Sequence, residues 1–355
     1  MLKGNGAYLT HPFTPPPSSL PPRMLRVKDS LKDGLGRVVT SLRLSVTDTC
    51  NLDCAHCHQQ AGTRARSETP AMRRSEAIRL VKVFTSLGIL KVRLTGGEPL
   101  LRRDLEPLIA GISPEAEGGV HLNTHGTLLA RRARGLHEAG LSGVDVSLPA
   151  ADRATFERLT HKNRFDRIMT GLETARSAGL KVQLRTMVFR GWNEDQILPL
   201  ARLAQTEGFP IEFLDGTSQE GHGWMREACM SAAEILRALQ VGLGTELQEE
   251  AGFMGEESRE RRFHTPTSHS KVSIISTFGA PSCDRCNRVY LDSRGQLKAC
   301  LSGHRSVDLL DALRHQASHA DLVRLIRQAI TEKRACPPRR QGELTSHAAR
   351  WQVGG

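Results

Sequence analysis

The sequence predicts an α/β fold built on a parallel β-sheet, and three observations support this prediction. Short β-prone runs rich in Val, Ile and Leu recur between residues 42 and 215, separated by helix-like patterns. Four of those patterns end at a glycine, and a new strand begins within a few residues. Strands and helices that alternate in this way form βα units, which place their strands side by side in a parallel sheet. After Gly216 the alternation stops.

The strands and helix ends can be placed on the sequence individually. The predicted strands are residues 42–46, 92–94, 120–122, 144–148, 182–189 and 211–214. The glycines that end the helices are Gly88, Gly140, Gly179 and Gly208. Glycine suits these positions because the residue after the last helical turn takes a left-handed conformation, which a side chain disfavours.

The rest of the chain predicts a less regular organisation. The expected parts are a proline-rich disordered lead (1–36), the βα core (37–240), a C-terminal region (241–340) and a tail (341–355). A capping box at Ser231 opens a helix, and a short strand at 289–291 precedes a turn at 293–295. A charged helix is expected over 307–334, whereas residues 241–270 give no pattern.

Composition limits the class of protein. The formal net charge of +11 favours an anionic ligand. Nucleic acid would also fit this charge, but an aromatic content of 4% argues against a surface that stacks single-stranded bases. Eight cysteines without a signal-like segment predict metal sites in a reducing, cytoplasmic compartment. No apolar stretch approaches the roughly 18 residues of a membrane span.

The first chemical motif is a run of three cysteines on the loop that follows the first strand. Cys50, Cys54 and Cys57 are separated by three and then two residues. Three thiolates on one loop can bind three irons of a four-iron cluster and leave the fourth iron open. A structural zinc ion usually takes four protein ligands, and His56 or His58 would supply the fourth. The spacing alone leaves both alternatives open.

A second motif follows the second strand and favours iron. In Thr95-Gly96-Gly97-Glu98-Pro99 two glycines allow a ligand close to the backbone, and Glu98 offers a carboxylate to an amine. Together the two motifs resemble those of the radical S-adenosylmethionine (SAM) enzymes. The resemblance implies a partial (βα)6 TIM-like barrel, a [4Fe-4S] cluster on Cys50, Cys54 and Cys57, and an electron donor of the flavodoxin or ferredoxin type.

The resemblance also implies a SAM site at the C-terminal ends of the strands. Its expected residues are Gly96, Gly97, Glu98, Thr124 and Ser147. In this family an electron from the cluster cleaves SAM to a 5′-deoxyadenosyl radical, which then abstracts a hydrogen atom from the substrate.

The C-terminal region contains a second set of three cysteines, Cys283, Cys286 and Cys300. A zinc site completed by His304 is one reading of this set. Three segments of the chain are considered together with this set: Leu42–Asp48, Lys91–Leu100 and Cys283–Arg288. With the terminal Gly354-Gly355, these segments resemble the GTP 3′,8-cyclase family of molybdenum cofactor biosynthesis. This resemblance implies a second [4Fe-4S] cluster in a C-terminal extension, with an open iron facing the substrate, and terminal glycines that enter the active site.

The same resemblance implies an anionic nucleotide as substrate. The residues expected to line its site are Arg43, Lys91, Arg93, Arg288 and Tyr290. Two of the departures from the family pattern remove positive charge: Tyr290 replaces a second arginine, and Glu212 stands where a basic residue is expected. Fewer cations argue against a triphosphate, which needs charge-assisted contacts.

These departures favour the relatives that act in nucleoside antibiotic biosynthesis, the octosyl acid phosphate synthases. That resemblance implies cyclisation of 3′-enolpyruvyl-UMP to octosyl acid 5′-phosphate. Cys229 then becomes a candidate hydrogen-atom donor, because it precedes the helix cap Ser231 and lies on a loop; a buried structural thiol is the alternative. The other candidate functions are a GTP 3′,8-cyclase and a zinc-dependent binding module, and the Gly-Gly-Glu-Pro segment argues against the module.

Overall fold

The computed structural model describes residues 30–54, 57, 71–215, 228–250, 260–265, 268–276, 285–300 and 305–333. Six parallel strands follow one another in chain order at the centre of the sheet: β1 (Ser41–Ser45), β2 (Lys91–Thr95), β3 (Val120–Thr124), β4 (Leu141–Ser147), β5 (Val182–Val188) and β6 (Ile211–Asp215). The helices between them are α1 (Arg74–Ser86), α2 (Leu105–Ile112), α3 (Leu129–Glu138), α4 (Arg153–Thr160), α5 (Phe165–Ser177) and α6 (Ile197–Glu207). The predicted α/β fold is therefore confirmed.

The predicted helix-ending glycines have the expected backbone conformation. Their φ angles are +96° at Gly88, +90° at Gly140, +86° at Gly179 and +72° at Gly208. Each angle lies in the left-handed region that glycine tolerates without a steric penalty.

The C-terminal part of the chain extends the same sheet on both sides. Its elements are α7 (Ala232–Leu243), β7 (Gln248–Glu249), β8 (Glu260–Thr265), β9 (Ser268–Ile275), β10 (Arg288–Leu291), β11 (Gln296–Lys298), β12 (Val307–Asp308), α8 (Leu309–Arg314) and α9 (His319–Thr331). Strand β9 pairs with β6 and strand β10 pairs with β1, both in parallel. Strands β7 and β8 lie beyond β9, and β11 and β12 lie beyond β10, in antiparallel pairs.

Two predictions for this part need correction. Residues 241–270 gave no pattern, but they contain β7, β8 and the start of β9. Strand β8 begins with three charged residues and is held by its pairing with β9 rather than by its composition. The predicted helix over 307–334 is two helices, because the chain reverses after α8 and Ser318 caps α9 through a reciprocal contact with Asp321.

Charged side chains lie buried in the interior of the sheet. Arg43, Arg93, Asp145, Arg185 and Glu212 are all at most 7% exposed. Each is flanked along its strand by buried apolar residues, except that Thr186 follows Arg185, and neighbouring positions on a strand face opposite sides of the sheet. One face of the sheet thus packs against helices, and the other encloses a polar interior, which we call the lumen.

The N-terminal residues that the structure describes are ordered. Residues 30–36, which the sequence analysis placed in the disordered lead, form a turn in which Leu31 is buried. The Arg37 guanidinium binds the Asp33 carboxylate at 2.7 Å. No helix among the described residues is long and apolar enough to cross a membrane.

Candidate functional site

The two motif loops at the C-terminal ends of β1 and β2 are held against each other by backbone contacts. The amide of Gly97 donates to the carbonyl of Thr47 at 2.9 Å, and the amide of Glu98 donates to that of Thr49 at 2.7 Å. A Cβ on Gly96 would lie 2.4 Å from the Thr47 carbonyl oxygen, and the φ angle of Gly96 is +144°. Only glycine permits this approach, so the cysteine loop and the Gly-Gly-Glu-Pro loop form one unit.

The Glu98 carboxylate organises the neighbouring loops. One oxygen accepts hydrogen bonds from the Thr124 hydroxyl at 2.6 Å and the Leu100 amide at 2.9 Å. The other oxygen accepts from the His125 amide at 3.0 Å. Glu98 is fully buried, and this positioning role was not predicted from the sequence. Its contact with the amine of SAM, like the contacts of Thr124 and Ser147, stays a prediction.

The cysteine loop is also attached to the loops that follow β3 and α4. The side-chain Nδ2 of Asn51 donates to the Thr127 hydroxyl at 3.2 Å, and the side-chain Oδ1 of Asn51 lies 2.9 Å from Nε2 of His125. The amide of Asp53 donates to the carbonyl of Thr160 at 3.2 Å. These contacts place Cys50 and Cys54 at the C-terminal end of the lumen, beside the predicted SAM site.

The thiols of this loop fit a metal cluster. Burial, together with the negative charges of Glu98 and Cys57, raises the pKa of Cys50 to about 11. Burial, together with the charges of Cys57 and Cys50, raises the pKa of Cys54 to about 12. Buried thiolates that repel one another are stabilised by bound metal. No three His, Cys, Asp or Glu side chains in the described ranges are grouped to hold a single metal ion. In a four-iron cluster each thiolate binds a different iron, so such convergence is not required.

Cys286 and Cys300, the two described cysteines of the second set, lie at the opposite end of the lumen. Cys286 precedes β10, and Cys300 follows β11, which runs antiparallel to β10 with Lys298 opposite Tyr290. Continued by two residues, this register places Cys300 opposite Arg288. Arg288 is two residues after Cys286 in the chain, so the two cysteines lie at the same end of β10. Because Arg288 is opposite Ser41, the first residue of β1, both cysteines lie at the N-terminal end of the parallel strands.

Cys286 lies beside positively charged groups, whereas the charged neighbours of Cys50 and Cys54 are negative. The Lys333 ammonium donates to the Cys286 sulfur at 3.3 Å and to the Arg288 carbonyl at 2.7 Å. Burial alone would raise the pKa of Cys286, but the charges of Lys333 and Arg288 outweigh it and the pKa lies below its usual value. A thiol of this kind is predisposed to bind metal as a thiolate.

Four of the five predicted substrate residues line one cleft. It encloses about 200 Å³ and is lined by Thr40, Ser41, Arg43, Leu90, Lys91, Arg93, Gly118, Asn287 and Arg288. Tyr290 does not line it but is opposite Arg43 on the neighbouring strand. The cleft lies at the N-terminal ends of β1, β2 and β10, opposite the C-terminal ends where the SAM site is expected. The cationic cleft is therefore at the end of the lumen that carries Cys286 and Cys300.

Ion pairs between strands β2, β4, β5 and β6 cross the lumen. Arg93 binds the Asp145 carboxylate, and Asn123 accepts a hydrogen bond from Arg93 at 2.9 Å. Arg185 lies 3.4 Å from Asp145 and pairs closely with Glu212. From the sequence alone Glu212 adds a negative charge, but in the structure Arg185 balances it. Charged residues in apolar strands, such as Asp145 between Val144 and Val146, were the signal that would have revealed this network.

Cys229 lies outside α7 and at the C-terminal end of the lumen. It forms an isolated antiparallel bridge with Phe189, directly after β5. The predicted capping box is present, since the Ser231 hydroxyl accepts from the Glu234 amide and the Glu234 carboxylate accepts from the Ser231 amide. The role of Cys229 as a hydrogen-atom donor stays a prediction.

Several predicted residues lie outside the described ranges. They are Cys283, His56, His58, His304, Gly354 and Gly355. The ligand sets and the predicted entry of the tail into the active site are therefore untested by the structure.

Two family models match the chain. One describes the Radical SAM superfamily and matches residues 44–204, which include the cysteine loop and strands β2 to β5. The other describes Molybdenum Cofactor Synthesis C and matches residues 211–336, which include Cys283, Cys286 and Cys300. Both three-cysteine sets therefore fall inside matched ranges.

Curated relatives agree with these matches. The chain is 34% identical over 311 residues to the GTP 3′,8-cyclase of Streptomyces coelicolor, covering 86% of this chain and 90% of that protein. It is 32% identical over 332 residues to the GTP 3′,8-cyclase of Stenotrophomonas maltophilia, covering 92% and 99%. It is 28% identical to the molybdenum cofactor biosynthesis protein 1 of Dictyostelium discoideum, covering 91% of this chain and 50% of that one. The chain thus spans about half the length of the Dictyostelium relative.

Solved structures support the fold. The crystal structure of Streptococcus suis SuiB superimposes with a TM-score of 0.56 at 14% identity, covering 77% of this chain and 65% of that one. Native anSMEcpe with bound AdoMet superimposes with a TM-score of 0.54 at 14% identity, covering 84% and 93%. At this identity the likeness extends to the fold alone.

Proposed function

The chain belongs to the radical SAM superfamily and, within it, to the family of the GTP 3′,8-cyclases, and from that premise we propose that it cyclises a nucleotide by forming a carbon–carbon bond within it. SAM and two [4Fe-4S] clusters are the cofactors of this family. When bound, the first cluster and SAM supply the radical that removes a hydrogen atom from the ribose.

One observation supports the proposal most strongly. The cysteine loop and the Gly-Gly-Glu-Pro loop occupy the C-terminal end of the lumen, while a cleft lined by Arg43, Lys91, Arg93 and Arg288 occupies the other end. Cationic side chains at one end suit the anionic part of a nucleotide. The sugar would then extend through the lumen toward the SAM site.

The chain's own residues account for binding and orientation. The guanidinium groups of Arg43 and Arg288 would hold anionic oxygens of the substrate, and the Lys91 ammonium would add a point charge. The Arg93–Asp145 pair would keep Arg93 fixed at the wall of the lumen. Buried, paired groups of this kind restrict the orientations that a bound nucleotide can take.

The relatives favour GTP as the substrate over the uridine nucleotide first expected. GTP 3′,8-cyclases match at 32% and 34% identity over nearly their whole length. The charge argument against a triphosphate is weakened, because Arg185 balances Glu212. The leading proposal is therefore a GTP 3′,8-cyclase.

Cyclisation of 3′-enolpyruvyl-UMP to octosyl acid 5′-phosphate is the second candidate. It is favoured by Tyr290, which is opposite Arg43 at the position where the family has a second arginine. A phenol cannot replace the charge-assisted contact of an arginine, so a less charged nucleotide would suit this position.

An anaerobic turnover assay separates the two candidates. Reconstituted protein with SAM and dithionite is offered GTP or 3′-enolpyruvyl-UMP in separate reactions, and products are read by mass spectrometry. A cyclised product from GTP alone supports the leading proposal, and one from the uridine nucleotide alone supports the second. Formation of 5′-deoxyadenosine without a cyclised product from either nucleotide would contradict both.

Iron analysis tests the metal assignment separately. The reconstituted protein is expected to hold about eight irons, four per cluster. Cys54→Ala is expected to remove SAM cleavage, whereas Cys286→Ala is expected to spare the first cluster. Stoichiometric zinc without iron after anaerobic reconstitution would support the zinc-dependent binding module instead.

A further inference from the structure

Lys333 is a buried lysine that no part of the proposed reaction uses. It follows α9 and is 3% exposed. Its ammonium group donates to the Cys286 sulfur at 3.3 Å and to the Arg288 carbonyl oxygen at 2.7 Å. Removing an ammonium group from water is costly, so a lysine at this depth needs partners that compensate its charge.

The backbone around Lys333 is tightly held. A Cβ on Gly34 would lie 2.4 Å from the Thr331 carbonyl oxygen and 3.3 Å from that of Lys333, so the N-terminal turn packs directly against the end of α9. The Lys333 amide donates to the Ile330 carbonyl at 3.0 Å. These contacts fix where the side chain starts, and the hydrogen bond to Arg288 fixes where it ends.

Electrostatics gives this position a consequence for a cluster ligand. Reduction of an iron–sulfur cluster adds negative charge, and hydrogen bonds and positive charges at the ligating sulfurs stabilise the reduced form. In a buried site such an interaction is screened far less than at the surface. The charged groups that act on Cys50 and Cys54 are carboxylates and other cysteines rather than a lysine.

We propose that Lys333 is a positioning residue that raises the reduction potential of the second cluster, through its ammonium group on Cys286, and ties that ligand to the substrate arginine Arg288. The inference rests on the proposed function, because it takes Cys286 as a cluster ligand. It adds a residue that lies 33 positions beyond the last cysteine of the set.

Three substitutions separate charge from hydrogen bonding and packing. Lys333→Arg keeps the positive charge and the donors. Lys333→Gln keeps a donor and removes the charge, and Lys333→Met keeps the length and removes both. Lys82→Met is the matched control, because Lys82 is exposed and its carboxylate partner Glu115 lies 3.4 Å away on the surface.

The measurement is a potentiometric EPR titration of the full-length enzyme with both clusters loaded. The signal of the second cluster is assigned by its retention in a Cys50→Ala, Cys54→Ala, Cys57→Ala variant. For Lys333→Met and Lys333→Gln we expect the ratio of reduced to oxidised second cluster at a fixed potential to fall about tenfold, which is about 59 mV for a one-electron couple. Lys333→Arg and Lys82→Met are expected to keep the wild-type ratio.

The outcomes discriminate clearly. A wild-type reduction potential of the second cluster in Lys333→Gln would overturn the proposal, because that variant lacks the positive charge. The Gln variant also provides a neutral measurement if the Met variant does not retain iron. Turnover is measured separately: cyclised nucleotide with an unshifted potential refutes only this inference, and a shifted potential without any nucleotide turnover refutes only the proposed function.

Discussion

Arg185 and Glu212 are opposite each other on neighbouring parallel strands and form an ion pair inside the lumen. Both side chains are at most 4% exposed, and Arg185 also lies 3.4 Å from the Asp145 carboxylate. The guanidinium of Arg185 therefore lies between two carboxylates. Removing one partner of such a buried pair destabilises the fold more than replacing both partners with apolar residues, because a single buried charge is left without compensation.

This arrangement predicts a large, non-additive effect on stability. Arg185→Met should lower the free energy of unfolding by about 3–5 kcal/mol, because it leaves Glu212 buried without its cation. Adding Glu212→Gln to that variant should restore part of the loss. Urea unfolding followed by circular dichroism measures both. Arg190→Met, in an exposed pair with Glu234, is the control and should cost less than about 1 kcal/mol; an equal loss in the control would contradict the prediction.

A single methyl group at Gly96 should damage the SAM site. In Gly96→Ala the Cβ would meet the Thr47 carbonyl oxygen at 2.4 Å, with φ at +144°. Strain of about 1–3 kcal/mol would push the two motif loops apart and weaken SAM binding by about tenfold or more. Isothermal titration calorimetry with reconstituted protein measures this. Gly191→Ala has a positive φ but open space around it, and unchanged SAM affinity is expected there. Equal losses in the two variants would show that close approach is not the cause.

The cationic cleft predicts the energetic role of Arg288. Removing its guanidinium in Arg288→Ala should weaken nucleotide binding by about 2 kcal/mol, if a charge-assisted contact is lost in this partly buried cleft. Binding is measured by calorimetry with GTP and with a uridine monophosphate derivative. Arg305→Ala removes an exposed arginine that pairs with Glu332 and should leave affinity unchanged. Wild-type affinity in the Arg288 variant would place the nucleotide elsewhere.

Cys229 is expected to act after carbon–carbon bond formation. Its position beside Phe189, outside α7, leaves the thiol on a loop at the SAM end of the lumen. Cys229→Ala should still form 5′-deoxyadenosine but lose the normal product and accumulate an abortive one, seen by mass spectrometry or as a radical by EPR. Cys336→Ala is the control: it removes a cysteine beside two prolines near the end of the sequence, to which no role is assigned, and should behave like wild type. Normal product at an unchanged rate would make Cys229 a structural residue.

The contact between α1 and α8 predicts a pH-dependent contribution to stability. Arg314 binds the Glu76 carboxylate through two nitrogens at 2.9 and 3.1 Å, and this interaction lowers the pKa of Glu76. A carboxylate with a lowered pKa in the folded state stabilises the fold above its unfolded pKa, and the contribution is lost as the pH falls through its folded pKa.

Glu76→Gln should therefore lower the free energy of unfolding by about 1 kcal/mol at neutral pH. The difference from wild type should disappear in acid, because both chains are then uncharged at this position. Thermal or urea unfolding across a pH series measures it. Glu115→Gln removes a looser surface partner of Lys82 and should have little effect at any pH. A difference that persists undiminished in acid would exclude the ionic origin.

Local patterns predicted the repeated part of the fold. Strands β1 to β6 and the helix-ending glycines depend on period-two apolar runs and left-handed caps, both of which can be seen within a few residues. Strand β8 was missed because its stability comes from pairing with β9, a contact that composition does not reveal. The break between α8 and α9 depends on one cap at Ser318 inside a charged stretch, which the helical pattern obscured.

The candidate site was predicted in its residues but not in its geometry. The motifs identified the cysteines, the Gly-Gly-Glu-Pro loop and the basic residues. The positions of these groups at the two ends of the lumen depend on two strand pairings. Strand β10 pairs with β1, whose residues lie 247 positions earlier in the chain, and β11 pairs with β10 so that Cys300 lies level with Arg288. Two further contacts join residues that are far apart in the chain, so no local sequence pattern reveals them. Arg185 pairs with Glu212, and Lys333 contacts Cys286.

Cys50 and Cys54 lie at one end of β1, and Cys286 and Cys300 lie at the other, which under the proposed function sets a length requirement on the substrate. Strand β1 spans Ser41–Ser45, or roughly 13 Å at about 3.3 Å per residue. A molecule that engages the cleft beside Arg288 while presenting a carbon to the SAM end must bridge that span. A nucleoside without phosphate, or a free base, would reach one end only. If the proposed function is correct, the lumen selects its substrate by reach as well as by charge, and a truncated ligand would occupy the site without aligning its reactive carbon.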